Sequence, residues 1–168
     1  LIEINVNKAR KFKQIKKIIL VYNKKDLNRV KSLKLKKVTL ILGGKTRQES
    51  TFNALKYLIK QNKMSKVLIH DAARPNFTPK LLNNLVKNLK KNKAVIPVVN
   101  SKDSIKYKIK NHLFNLSRNN SYLTQTPQAF KFKDIYNLSV NQKNKVNDEA
   151  TLFIENNKKI KFIKGENF

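Results

Sequence analysis

Short, nearly unbroken apolar runs recur through the first hundred positions, at 18–22, 38–42, 67–69 and 94–97. Runs of this length predict strands buried on both faces of a sheet. The stretches between them carry helical spacing. Residues 2–13 read as the end of a helix and 25–33 as a short one. Thr46-Arg47-Gln48-Glu49 has capping-box spacing, and Phe52, Leu55, Leu58 and Ile59 then repeat as one helical stripe. Thr78-Pro79 marks another start, a hydroxyl N-cap followed by proline in the first turn, and Leu81, Leu82, Leu85, Val86 and Leu89 supply its buried side. Strand and helix in alternation predict an α/β chain of three layers, with a mostly parallel sheet between helices.

Beyond residue 100 the period changes. Ile105, Tyr107 and Ile109 alternate with lysine, and Phe114 and Leu116 flank Asn115 in the same way, which predicts antiparallel ribbon. Residues 134–140 and 148–155 read as helices, and 160–163 as a last strand. With 168 residues and neither repeats nor a Pro/Gly/Ser linker, one domain spanning 1–168 is expected. Residue 1 is Leu, and Gly165-Glu166-Asn167-Phe168 follows a strand-like run without a closing helix. The sequence is therefore expected to be an internal piece of a longer product.

Composition changes this picture little. The net charge of +28 favours anionic partners, nucleic acid among them. Yet 33 of the 38 basic residues are Lys and only 5 are Arg, and Lys, Asn and Ile together make up 71 of 168 positions. These are the residues of A/T-rich codons, whereas nucleic-acid readers lean on the forked contacts of Arg. The Lys are also spread along the whole chain, so a nucleic-acid partner is not expected. The absence of cysteine excludes disulfides and thiolate metal sites. No apolar run approaches the roughly 20 residues of a membrane helix, and the cytoplasm is the simplest compartment.

Two turns sit where an α/β sheet binds ligands, beyond the carboxyl ends of strands. Gly43-Gly44 lets backbone approach a ligand, and the helix opening near Thr46 offers free N–H groups to an anion; an ordinary strand–helix turn has the same look. In His70-Asp71-Ala72-Ala73-Arg74-Pro75, Asp71 is one of ten carboxylates in the chain and suits Mg²⁺ or a ribose hydroxyl, while Arg74 suits a phosphate. On spacing alone, Asp71 capping the turn and pairing with Arg74 is the simpler reading. His70 reads as a packed strand-end residue rather than a base, and Thr126-Pro127-Gln128 as a plain turn. Asp148-Glu149 fits the first turn of a helix; it joins a metal site only if Asp71 lies nearby.

Five pieces in order resemble the 2-C-methyl-D-erythritol 4-phosphate cytidylyltransferases: Gly43–Ser50, His70–Pro75, Asp103-Ser104-Ile105-Lys106, Gln125–Phe130 and Asp148-Glu149-Ala150. The resemblance covers essentially the whole chain. It implies a Rossmann-like sheet with a protruding antiparallel β-arm at about 107–132 that clasps a second copy in a homodimer. It implies CTP and methylerythritol phosphate as substrates and Mg²⁺ as cofactor. Nucleotide-binding roles follow for Gly43, Gly44, Ser50, Asp71 and Ala72: Gly44 and Ser50 at the cytosine, Asp71 and Ala72 by the ribose and the Mg²⁺-bound phosphates, with Asp71 as metal ligand. Substrate-binding roles follow for Arg74, Asp103, Asn115, Lys131 and Lys133. The departures matter. The family's Gly-rich loop with its catalytic Arg and Lys would lie upstream, and an acceptor-positioning Lys just past Phe168. Phe132 stands at the family's arm Arg, Asn115 at its arm Thr, and Lys45 where some relatives carry Asp. The alternatives are a ribitol 5-phosphate cytidylyltransferase, against which Ala72-Ala73 speaks, a basic nucleic-acid-binding module, and a bifunctional chain with a second domain beyond residue 168.

Overall fold

The computed structural model describes residues 1–61, 64–142 and 146–166. The elements run α1 (Ile2–Lys11), β1 (Ile18–Tyr22), α2 (Leu27–Ser32), β2 (Val38–Leu42), α3 (Arg47–Ile59), β3 (Lys66–Ile69), α4 (Pro79–Leu89), β4 (Ala94–Asn100), β5 (Ile105–Ile109), β6 (His112–Leu116), β7 (Tyr122–Thr124), β8 (Gln128–Lys131), α5 (Phe132–Asn141), α6 (Glu149–Glu155) and β9 (Lys161–Lys164). A 3₁₀ turn, Lys24–Asp26, leads into α2, and a second, Arg118–Asn120, precedes β7.

The three layers follow from the alternation of strand side chains. On one face of the sheet, Ala94, Ile96 and Val98 of β4 and Phe130 of β8 meet Leu55 and Leu58 of α3, Ile135 of α5 and Leu152 and Phe153 of α6. On the other, Val95, Ala129 and Ile163 meet Phe12, Phe77 and the Leu81, Leu82, Leu85 and Leu89 stripe of α4. The predicted caps are in place: Thr46 Oγ1 accepts from the Glu49 N–H and Thr78 Oγ1 from the Leu81 N–H, each at 3.1 Å.

The sheet is more mixed than the apolar runs predict. β1 and β2 pair in parallel as a two-stranded piece. The five-stranded piece has the order β3-β8-β4-β7, with β9 parallel to β4 on its other edge. β8 is antiparallel to both β3 and β4, and β7 is antiparallel to β4. The cause is the excursion after β4: the chain leaves the sheet as the β5–β6 hairpin and re-enters running backwards. Pro97, which has no N–H to give, sits where β4 changes partner from β8 to β7. β1 is half-buried throughout, because only one of its edges is paired among the described residues.

The arm is correspondingly shorter than 107–132. Of this stretch only β5 and β6 lie outside the five-stranded piece; residues 122–124 and 128–131 belong to it, and Phe132 opens α5 in the core. Cross-strand pairing puts Ile105, Tyr107, Ile109, Phe114 and Leu116 on one hairpin face. Four of them, Tyr107, Ile109, Phe114 and Leu116, are 43–49% exposed. Among the described residues no helix is long and apolar enough to cross a membrane.

Candidate active site

The two turns meet. Arg47, the first residue of α3, reaches from the Gly43–Ser50 turn to Asp71 at the end of β3. Its Nε and Nη2 both donate to Asp71 Oδ1 at 3.2 Å, and its Nη1 donates to both carboxylate oxygens of Glu149 at 2.9 Å. The second Asp71 oxygen faces Arg74 Nε at 3.6 Å. The Glu149 side chain is only 4% exposed, so its charge is compensated by Arg47 rather than by water. Burial lowers the proton affinity of Arg47, but the Glu149 and Asp71 carboxylates outweigh it and raise its pKa above the usual guanidinium value.

Thr126-Pro127-Gln128, on spacing alone a plain turn, borders the site together with Thr124. Thr126 Oγ1 accepts from the Asp71 N–H at 3.3 Å and lies 3.0 Å from His70 Nδ1. His70 Nε2 lies 2.8 Å from the Arg74 carbonyl, which can only accept; this fixes Nε2 as protonated and Nδ1 as acceptor. Burial holds the His70 pKa below its usual value, so the ring is a neutral clamp, as its strand-end position suggests. Two more carbonyls of the turn are held from α1: Asn5 Nδ2 donates to Ala72 O and Lys8 Nζ to Pro75 O.

Asp148 is the N-cap of α6. Its Oδ1 accepts from the backbone and hydroxyl of Thr151, its Oδ2 from Thr124 Oγ1 and from Gln128 Nε2. Burial alone would raise its pKa, but the hydrogen bonds from Gln128, Thr151 and Thr124 outweigh burial and hold it below the usual carboxylate value. An open cleft of about 180 Å³ is lined by Arg47, Asp71, Arg74, Thr124, Thr126, Gln128, Asn147 and Asp148. Asp71 and Glu149 are thus brought together, but through Arg47 rather than as a bare pair of metal ligands. Among the described residues no cluster of three His, Asp or Glu could hold a metal alone.

The other expected positions divide. Gly44 N donates to Ser50 Oγ at 3.1 Å, and Ser50 Oγ donates to Thr46 O at 2.8 Å. A Cβ on Gly44 would run into the Glu49 side chain, 2.6 Å from Oε2, so glycine is required there by packing. Gly43 N donates to Tyr22 O, and Ala72 is exposed beside Asp71. None of these four lines the cleft. Asp103 lies at the base of the hairpin, beside a different hollow. Asn115 stands on the exposed hairpin and accepts from Lys106 across the strands.

Lys131 and Lys133 lie apart from the cleft within one chain. Lys131 pairs with Lys66, whereas Gln128 pairs with Ile69 beside the site, so Lys131 lies three rungs away, roughly 10 Å, toward the opposite edge of the sheet. Lys133 lies beyond it in α5. Antiparallel β8 runs away from Asp71, which spacing along the chain does not reveal. The residues that sequence reasoning passed over are Arg47, Thr126 and Gln128. Arg47 did carry a signal: a cation at the first position of a helix opposes the dipole and needs acids nearby.

The family model described as IspD, 2-C-methyl-D-erythritol 4-phosphate cytidylyltransferase, matches residues 1–168. The chain belongs to this family. It is 51% identical over 162 residues to the bifunctional enzyme IspD/IspF of Pelagibacter ubique (strain HTCC1062), covering 96% of this chain and 43% of that one. It is 41% identical over 134 residues to the 2-C-methyl-D-erythritol 4-phosphate cytidylyltransferase of Prochlorococcus marinus (strain AS9601), covering 77% and 59%. The chain thus spans about half the length of these curated relatives. The crystal structure of 4-diphosphocytidyl-2C-methyl-D-erythritol synthase from Anaerococcus prevotii DSM 20548 superposes with a TM-score of 0.88 at 34% identity, covering 98% of this chain and 76% of that one. The mixed α/β, Rossmann-like architecture is therefore that of the IspD family.

Proposed function

We propose that this chain forms the nucleotide-binding part of a cytidylyltransferase that joins CTP to 2-C-methyl-D-erythritol 4-phosphate, giving 4-CDP-2-C-methyl-D-erythritol and pyrophosphate. The observation that carries the reading is the meeting of the two strand-end turns at Asp71. There one carboxylate stands between two guanidinium groups beside an open cleft, in a chain of the IspD family.

In this reaction a phosphate oxygen of the acceptor attacks the α-phosphorus of CTP. The bond from that phosphorus to the bridging oxygen breaks, and pyrophosphate leaves with the electron pair. Nothing in this step requires a covalent intermediate, so positioning and charge neutralisation carry it. Gly44 and Ser50 form the cytosine end, with Gly43 beside them, Asp71 and Ala72 the ribose end, and Arg74, 52% exposed and held only by long contacts to Asp71 Oδ2 at 3.6 Å and the Thr124 carbonyl at 3.5 Å, turns to the acceptor phosphate. Asp103 and Asn115 have no contact with the cleft within one chain and act, if the hairpin clasps a second copy, from the partner.

Mg²⁺ fits Asp71 in a limited way. Among the described residues the site offers a single carboxylate oxygen loosely held by Arg74 rather than a cage, which suits an ion carried mainly by substrate phosphates and water. When bound, it would neutralise charge on the triphosphate. The exposed apolar face of the β5–β6 hairpin supports a homodimer, and we place that homodimer in the cytoplasm. The reading is tested by thermal unfolding with CTP, UTP, ATP and GTP in Mg²⁺. CTP raises the Tm most; equal shifts for all four nucleotides would reject a cytidine site.

A further inference from the structure

We infer that Arg47 is a positioning residue for the nucleotide site, aimed in turn by the buried carboxylate of Glu149. The inference rests on the reading that Asp71 faces the bound nucleotide. Arg47 sits at the first position of α3, where the helix dipole disfavours a cation. It is held there by two carboxylates at once. Nη1 lies 2.9 Å from both Glu149 oxygens, which leaves the Nε–Nη2 edge to fork onto a single oxygen of Asp71 at 3.2 Å.

Glu149 cannot easily turn away. Its side chain is 4% exposed, and it begins α6 directly after Asp148, whose four hydrogen bonds to Thr124, Gln128 and Thr151 pin that helix start. The chain of constraint therefore runs from the α6 N-cap to Glu149, to Arg47, to Asp71 Oδ1. It leaves Asp71 Oδ2 for the cleft, shared only with the exposed Arg74. The two arginines divide the work: Arg47 stays and sets the carboxylate, while the exposed Arg74, held only by long contacts to Asp71 Oδ2 and the Thr124 carbonyl, can turn to an anion. A lysine at position 47 has no planar fork and cannot hold both carboxylates in register.

The rival role for Arg47 is direct contact with the triphosphate, and the two roles give opposite signs at Glu149. The test measures kcat and KM for CTP in the protein that carries this chain, for Arg47→Lys, Glu149→Gln, Glu149→Asp and the Arg47→Lys/Glu149→Gln double variant. Positioning predicts that Arg47→Lys and Glu149→Gln each lower kcat about 10- to 100-fold, with KM for CTP moving less than about threefold. The double variant is then no worse than Arg47→Lys alone. Glu149→Asp, which keeps the charge but draws it back, falls between, and keeps the claim testable if Glu149→Gln folds poorly. Unchanged kcat in soluble variants with a lowered Tm would make the contact merely structural and overturn the inference. A lower KM in Glu149→Gln would mean that Arg47 was freed for phosphate, and would overturn it too. Turnover of another nucleotide that shows the same variant pattern would keep the positioning role and reject the cytidylyl reading. No turnover in the unaltered protein would reject both.

Discussion

His70 Nδ1 and Thr126 Oγ1 lie 3.0 Å apart, and the same hydroxyl accepts the Asp71 N–H, so a threonine 56 positions along the chain sets the backbone of the Asp71 turn. Thr126→Val keeps the shape and removes both contacts. It leaves a half-buried imidazole nitrogen and a half-buried backbone N–H without partners, at a cost of about 1 kcal/mol. Urea denaturation should show that loss, with Thr126→Ser recovering most of it. A Thr126→Val midpoint equal to that of the unaltered chain would reject the clamp.

Gly44 is fixed by what stands over it. Gly44→Ala puts a methyl into the Glu49 side chain, and relief requires the turn to open. Overpacking of this kind costs about 1–3 kcal/mol. The same opening should break the Gly44–Ser50 hydrogen bond and weaken CTP binding, read by calorimetric titration. Tight CTP binding by Gly44→Ala would remove Gly44 and Ser50 from the cytosine end.

Asp148 gives the chain a pH signature. Its folded pKa lies below its ordinary value, because hydrogen bonds from Gln128, Thr151 and Thr124 outweigh burial. A carboxyl group depressed in this way adds stability that is complete above its unfolded pKa, about 3.9. That stability drains as the pH falls through the folded value. Asp148→Asn keeps a capping side chain but not the charge. Acid unfolding followed by circular dichroism should therefore be less steep below about pH 4 in Asp148→Asn than in the unaltered chain. Parallel curves would show that the charge contributes nothing.

Much of this fold was legible in the sequence because it is local. The apolar runs, the Thr46 and Thr78 caps and the lysine-alternating ribbon each declare themselves within a dozen residues, and each appears in the structure where expected. What was hidden is non-local. Nothing in Gln128-Ala129-Phe130-Lys131 shows that it will run backwards between β3 and β4, and that direction carries Lys131 and Lys133 away from Asp71. The candidate site divides the same way: Asp71 and Arg74 come from one turn and were found together. The partners that orient Asp71, Arg47 and Thr126, are 24 and 55 positions distant.

The hairpin predicts assembly. Tyr107 and Phe114 face each other on an apolar surface, each about half exposed, that nothing among the described residues covers fully. If the proposed homodimer closes through the hairpin, a Tyr107→Lys/Phe114→Glu variant should sediment more slowly than the unaltered protein at equal concentration, with little change in Tm, because the hairpin lies outside both core clusters. A variant that stays dimeric would place the interface elsewhere.

The most direct measurement follows the phosphorus. The protein that carries this chain, given CTP, Mg²⁺ and 2-C-methyl-D-erythritol 4-phosphate, should yield 4-CDP-2-C-methyl-D-erythritol and pyrophosphate in equal amounts by ³¹P NMR. It should yield little with ribitol 5-phosphate. Preference for ribitol 5-phosphate, or no nucleotidyl transfer alongside tight retention on DNA near physiological salt, would contradict the account.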